Sequence, residues 1–190
     1  MPPKTRVTKE MIINAAFEIA RESGFENINA RTVSDKLSCS TQPIMYNFGT
    51  IENLKQAVYA KVDSFHAEYL MQMQNEQNSM PLEIGLNYIR FAIYETNLFH
   101  FLFQSGYAVE SSVMDMVNSD ELKSVIEAMH EAIGMSLSQT KEIFLMVALF
   151  THGYASIIAN NALKYDEELI AKYLERAFNG AYLSIKEEQQ

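Results

Sequence analysis

The stretch from Arg31 to Phe48, Arg-Thr-Val-Ser-Asp-Lys-Leu-Ser-Cys-Ser-Thr-Gln-Pro-Ile-Met-Tyr-Asn-Phe, constrains the fold more than any other part of the chain. Val33 and Leu37 lie one helical turn apart, and so do Ile44 and Phe48. Ser38 and Cys39 interrupt the two periodic runs, and Ser40 supplies an N-cap for the second. Pro43 fits a first helical turn, where its missing N–H breaks no helical bond. The pattern predicts two short helices joined by a tight turn, the second reaching Phe48. An amphipathic helix over about Thr8 to Ser23 precedes them, with Ile12, Ala16, Ile19 and Ala20 at helical spacing and Ile13 and Phe17 widening the apolar face. Gly24 ends that helix as a left-handed residue, and Phe25 folds back on its last turn. The apolar sides of the three helices build a small common core.

The rest of the chain also reads as helix. Thr50 caps a long helix from about Ile51 to Gln74, striped by Leu54, Val58, Val62, Phe65 and Tyr69. Asn75 to Met80 is a polar loop. Further helices fall at about Pro81–Glu95, Asp120–Ala132, Thr140–Asn160 and Asp166–Lys186, with a dense apolar run from Leu98 to Phe103. The segment Gly106 to Ser119 is ambiguous, and the tail Glu187 to Gln190 is expected to fray. No strand pattern with turn chemistry appears. The expected class is all-α: an N-terminal three-helix helix-turn-helix head over residues 1–50 and a larger helical body over residues 51–190.

Charge is distributed unevenly. The net charge is −9, yet residues 1–60 sum to +1 and residues 61–190 to −10. An acidic body repels DNA and leaves the head as the surface able to approach phosphate. Lys4, Arg6 and Lys9 form a basic cluster in an N-terminal arm suited to a backbone or minor groove. No apolar run reaches the roughly 18 residues that span a bilayer, and Met1 to Arg6 lacks the apolar core of a secretory signal. A single cysteine, Cys39, excludes an intrachain disulfide. These features predict a cytoplasmic protein without a membrane partner.

On a helical wheel, Ile44 and Phe48 of the third helix share the inner side, while Gln42, Pro43 and Tyr46 point away from it, flanked by Thr41, Met45 and Asn47. A recognition helix offers its N-terminal residues to base edges in the major groove. Gln42 matches adenine, and Thr41 or Pro43 can touch a thymine methyl. Tyr46, Asn47, Arg31 and the amides at Thr50 suit phosphate oxygens. So short a helix makes few base contacts, so two copies on a palindromic site are expected. The alternative reading of these residues is a generic three-helix cluster with no DNA partner.

The N-terminal region, about residues 8–60, resembles the tetracycline-repressor (TetR/AcrR) family of bacterial transcriptional regulators. The resemblance rests on Ile12–Ala20, Gly24-Phe25, Arg31-Thr32-Val33, Ser40-Thr41-Gln42-Pro43-Ile44, Tyr46-Asn47-Phe48, Glu52 and Leu54. It implies a DNA-facing set of Arg31, Thr32, Ser40, Thr41, Gln42, Pro43, Met45, Tyr46, Asn47, Thr50 and Lys55. Met45 stands where the family has the first of two aromatics, Asn47 where His or Tyr is common, and Ile51 where Lys is usual. The missing lysine lowers the expected affinity and its salt dependence, and Lys55 lies one turn later.

The resemblance further implies a body that binds a small effector and dimerises through its last two helices. The matching stripes are Phe144, Val147, Thr151, Tyr154 and Ile158, and Ile170, Leu174, Ala177 and Ala181, with Gly153 and Gly180 allowing close approach. The same stripes can equally face the protomer's own core. Phe65, Tyr69, Tyr88, Phe91, Phe99, Phe103, Tyr107, Met114 and Phe144 are candidates to line an effector pocket. Glu68, Glu95 and Glu110 would favour a cationic ligand, so the expected effector is apolar or cationic. No cofactor or metal is expected, because His66, His100, His130 and His152 form no ligand array. Cys39 reads as a buried filler rather than a redox switch. No catalytic motif is present, and an enzyme is not expected. The chain therefore reads as a homodimeric repressor released from double-stranded DNA by an effector. The first rival is a DNA-binding regulator controlled by a protein partner, and the second is a small helical enzyme.

Overall fold

The computed structural model describes residues 7–108, 112–161 and 163–187. Among them are ten α-helices and no strand: α1 Lys9–Ser23, α2 Ala30–Lys36, α3 Gln42–Phe48, α4 Ile51–Leu70, α5 Met80–Tyr94, α6 Thr96–Gln104, α7 Val113–Val117, α8 Lys123–Ile133, α9 Leu137–Asn161 and α10 Glu167–Glu187. The chain is all-α, as its periodicity predicts. It divides into two compact units, Met1–Ser64 with Glu95–Ala108, and Phe65–Tyr94 with Val109–Gln190. Lys4, Arg6 and Glu110, together with residues 188–190, lie outside the described residues.

In the first unit, each helix end has a local cause. The Thr8 side chain accepts from the Met11 amide and starts α1. Gly24 ends it at φ 95°, in an extended positive-φ conformation rather than the left-handed helical one expected. Phe25 then opens a 3-10 turn, Phe25–Asn27, which packs on α1. Asn29 starts α2 one residue earlier than predicted. Its side chain accepts from the Arg31 and Thr32 amides, and Thr32 closes a capping box by accepting from the Asn29 amide.

The turn after α2 is a Schellman motif. Cys39 N–H donates to Ser34 O at 3.0 Å and Ser38 N–H to Asp35 O at 3.1 Å, with Ser38 left-handed at φ 50°. The helix-turn-helix angle is thus set by backbone bonds. α3 packs on α1 and α2. Ile12, Ala16, Ala20, Val33, Ile44 and Leu54 are buried in this unit, and Leu37, predicted as inner, is only half-buried.

The unit that holds the head extends beyond residue 50, because α6 packs on α1. Phe101 stacks on Phe25 with ring centroids 4.9 Å apart and meets Tyr59 edge-on. Arg21 grips Glu95 with Nε donating to Oε2 at 2.7 Å, and Asn97 donates to Arg21 O at 2.9 Å.

In the second unit, α5 packs on α8, α9 and α10, and α9 packs on α8 and α10. α4 ends at Leu70, four residues before the predicted Gln74. The buried Asn87 amide takes the carbonyls of Leu70 at 3.2 Å and Gln72 at 2.6 Å, satisfying acceptors that the helix end leaves open. Asn87 belongs to a buried polar line on α5. Arg90 Nη1 donates to Glu83 Oε1 at 2.6 Å and to Asn87 Oδ1 at 2.9 Å, and its other nitrogens reach Glu167 at 2.6 and 3.1 Å. Asn78 donates to the remaining Glu83 oxygen at 2.6 Å. Glu83, Asn87 and Arg90 are each at least 95% buried, so every charge in this line depends on its partner.

Arg90→Ala leaves Glu83 charged and buried without its counter-ion. It should lower unfolding stability by about 3–5 kcal/mol in urea titrations. A loss below about 1 kcal/mol would show that the line is not an essential tie.

Candidate functional site

α3 carries the candidate interface. Its N-cap, Thr41, makes no side-chain cap bond, and Gln42 and Pro43 open the helix. Ser40, predicted as the cap, lies before it and is exposed. Ile44 is fully buried and Phe48 nearly so, whereas Tyr46 is 85% exposed. Thr41, Gln42 and Met45 are exposed beside it, and Pro43 is half-buried. Asn47 differs from its neighbours. It is half-buried, and its amide donates to Pro43 O at 2.7 Å, so that hydrogen is spent inside the helix rather than offered to phosphate.

Two other expected contacts also have internal partners. Thr32 Oγ1 donates to Asn27 O at 2.7 Å as part of the α2 cap. Thr50 Oγ1 accepts from the Asn53 amide at 3.1 Å and caps α4, a bond separate from the backbone amides expected to meet phosphate. Arg31 stands 89% exposed on the first turn of α2, with only a loose 3.9 Å pair to Asp35.

Among the described residues, the lysines of this unit lean on the protein. Lys55 sits over the Phe25 ring, Lys9 over Phe48 and Lys61 over Phe17, at 5.3–5.7 Å from the ring centroids. Lys36 pairs with Glu22 at 3.0 Å. α3 thus presents an exposed edge without a charged side chain, and Arg31 is exposed on α2.

The aromatic residues predicted to line one effector pocket are divided between the units. Phe65, Tyr69, Tyr88 and Phe91 come together in the second: Phe91 lies 6.2 Å from Phe65 and 5.4 Å from Tyr69. His66 meets Phe91 at 4.8 Å and Tyr88 at 5.3 Å. Tyr88 Oη and His152 Nδ1 share a hydrogen bond of 2.8 Å. Phe99, Phe103 and Tyr107 fall in the first unit. Phe99 packs on Phe103, and Tyr107 joins Phe25, Tyr59 and Phe101 while its hydroxyl donates to Glu52. Met114 is exposed on α7, and Phe144 packs against the buried cluster of Leu70, Ile84, Val125 and Met129.

Burial disfavours the charged forms of the polar groups in the second-unit cluster. Burial lowers His66 from 6.5 to about 3, lowers His152 as well, and raises Tyr88. Of the carboxylates expected to draw a cation, Glu68 is exposed and Glu95 pairs with Arg21. Among the described residues no group of three or more His, Cys, Asp or Glu could hold a metal ion.

On α9 and α10 the predicted interface stripes face inward. Thr151, Ile158, Ile170, Leu174 and Ala181 are buried within the unit, Val147 packs on Ile143, Ala181 and Ile185, and Tyr154 and Ala177 are half-buried. The outward apolar residues are Leu137, Met146, Leu149, Phe150 and Ile157 on α9 and Leu169, Tyr173 and Leu183 on α10. Gly153 and Gly180 lie among them, and a Cβ at either would meet nothing within 4 Å. α9 is also the one described helix long and apolar enough to cross a membrane by length and composition.

No protein-family model matches the chain, and no curated protein matches it in sequence. Solved structures do match in shape. A tetR-family transcriptional regulator from Streptomyces coelicolor aligns over 93% of this chain and 87% of its own at a TM-score of 0.67 and 12% identity. A TetR-family regulator from Rhodococcus sp. aligns over 92% and 98% at 0.61 and 12% identity. The multidrug binding protein EbrR, solved with imidazole, aligns over 89% and 88% at 0.54 and 13% identity. The fold is that of the TetR regulators.

Within this TetR fold, local sequence signals carry some of what the periodicity reading passed over. The Asn29–Thr32 spacing is a capping-box pattern, and Glu83, Asn87 and Arg90 at i, i+4, i+7 mark one polar line on an apolar helix. The Arg21–Glu95 pair spans 74 residues and leaves no such local trace.

His66 gives the second unit a defined acid response. The unfolded chain takes up a proton below about pH 6.5, whereas folded His66 resists it down to about 3. Stability is therefore highest above 6.5 and declines as the pH falls, by about 1.4 kcal/mol per pH unit along the steep part. Urea midpoints followed through this window should show the decline, and His66→Leu should flatten it. An unchanged slope in the variant would contradict the burial of a neutral imidazole.

Proposed function

We propose that this protein is a homodimeric, cytoplasmic transcriptional regulator of the TetR family that binds double-stranded DNA through α3 and acts as a repressor released by a small effector. The observation that carries this reading is the orientation of α3. Ile44 and Phe48 are buried, and Thr41, Gln42, Met45 and Tyr46 line an exposed edge that no packing need explains. A large exposed tyrosine beside uncharged polar side chains at a helix-turn-helix is suited to a groove. The reading places Arg31 on phosphate. The two heads of the dimer meet half-sites about 34–36 Å apart.

The dimer is proposed to form through the outward residues of α9 and α10. A contiguous exposed apolar face marks an interaction surface. Leu149 and Ile157 are more than half exposed along α9, and Leu169 and Leu183 run along α10. Gly153 and Gly180 serve no packing need in the protomer and leave room for a second copy. Lys172, Glu175, Arg176 and Asn179 are exposed on α10, which suits a protein interface better than hydrocarbon. The effector is proposed to act on the Phe65, Tyr69, Tyr88 and Phe91 cluster. Its rings and the Tyr88–His152 hydrogen bond suit an aromatic or hydrogen-bonding molecule. It shifts DNA binding only by its different affinity for the bound and released states.

Two experiments test this reading. Gln42→Ala and Tyr46→Ala alter exposed side chains, so unfolding midpoints should stay within about 0.5 kcal/mol of the parent. Each variant should bind a selected operator about 1–3 kcal/mol more weakly than the parent, the discrimination carried by one base-reading side chain. Full operator affinity in both variants would remove α3 from the mechanism. Phe150→Glu and Ile157→Glu should yield monomers in sedimentation equilibrium. A dimer surviving both would place the interface elsewhere.

A further inference from the structure

We propose that α3 reads A·T base pairs, through thymine methyl groups and adenine edges, and makes no guanine contact. This rests on the DNA-binding reading above. From Leu37 to Ile51 the chain carries no charged side chain. The exposed edge of α3 consists of Thr41, Gln42, Met45 and Tyr46, with Pro43 half-exposed.

The commonest specific contact to guanine is a bidentate bond from Arg or Lys to its O6 and N7, and α3 has neither residue. Its chemistry matches the other pair. The thymine C5-methyl accepts apolar contact, which Met45, Pro43 and the Thr41 methyl supply. Adenine presents N7 and its N6 amino group, which match the donor and acceptor of a Gln42 carboxamide. Gln42 is the first residue of α3, at the end of a recognition helix that reaches base edges.

The Arg31 guanidinium, 89% exposed, lies in the first turn of α2 rather than on α3. In a helix-turn-helix the first helix crosses the backbone, so Arg31 meets phosphate and carries no sequence information. Asn47, a second carboxamide on α3, is half-buried and spends one amide hydrogen on Pro43 O, which leaves Gln42 the exposed carboxamide. The edge therefore offers one adenine-type reader and a methyl-complementary surface.

Selection of duplexes from a random pool with the full chain tests the assignment. Parent protein and Gln42→Arg are run in parallel. The positions that α3 reads are those whose preference changes between the two. The parent should enrich inverted repeats with A·T at those positions, and Gln42→Arg should move one position per half-site to G·C. Replacing the thymines there by deoxyuridine removes only the major-groove methyl and should weaken parent binding about fivefold or more, the lower range of a single base discrimination. A parent preference for A·T that is indifferent to deoxyuridine would remove the thymine-methyl contacts and overturn the proposal. A parent preference for G·C at those positions would overturn it as well. Enrichment of no sequence by either protein would instead overturn the DNA-binding reading itself.

Discussion

The burial of Ile44 and Phe48 decides what the opposite edge of α3 can do. Two side chains a turn apart fix the rotation of a seven-residue helix, and the left-handed Ser38 with its two backbone bonds fixes its angle to α2. A helix this short has little intrinsic stability, so its position comes from packing on α1 and α2. Once those residues are inside, Gln42 and Tyr46 have nowhere to point but outward. The capping contacts of Asn29, Thr32 and Thr50 act in the same direction, holding the ends of neighbouring helices so that the edge of α3 stays fixed.

The second unit is organised by a different constraint. α5 is buried along most of its length and yet carries Glu83, Asn87 and Arg90. These groups are tolerable only because each finds partners: the loop after α4, one another, and Glu167 at the start of α10. The polar line thereby registers three elements against each other. Gly85 on the same helix admits Leu174, whose Cδ1 would lie 3.2 Å from a Cβ there. α9 and α10 are left with a second apolar side that the protomer does not cover.

Much of the first unit was legible because its signals are local. The spacing of Ile12, Ala16, Val33, Ile44 and Phe48 gave both the helices and their inner sides, and Ser38 and Cys39 marked the turn. The outer surface of α9 and α10 was not legible. α9 is apolar on several sides, with Ile143, Thr151, Ala155 and Ile158 inside and Met146, Leu149, Phe150 and Ile157 outside, so periodicity alone selects no face. Phe99 and Tyr107 belong to the first unit and Phe65 and Tyr88 to the second, a division that was not legible for a related reason. Aromatic character predicts burial but not the unit that receives it, and α6 goes to the head through Glu95 and Phe101, whose partners lie far away in sequence. Charge reading met the same limit with Glu95, whose carboxylate is spent on Arg21.

The most direct measurement is nuclear magnetic resonance of the protein bound to a selected duplex, reading proton contacts between side chains and bases. Contacts are predicted from the Gln42 amide and the Met45 methyl to base protons, and none from the Ile44 methyls or the Phe48 ring. Base contacts from Ile44 or Phe48, or a complex in which α3 touches no base, would contradict this orientation of the helix.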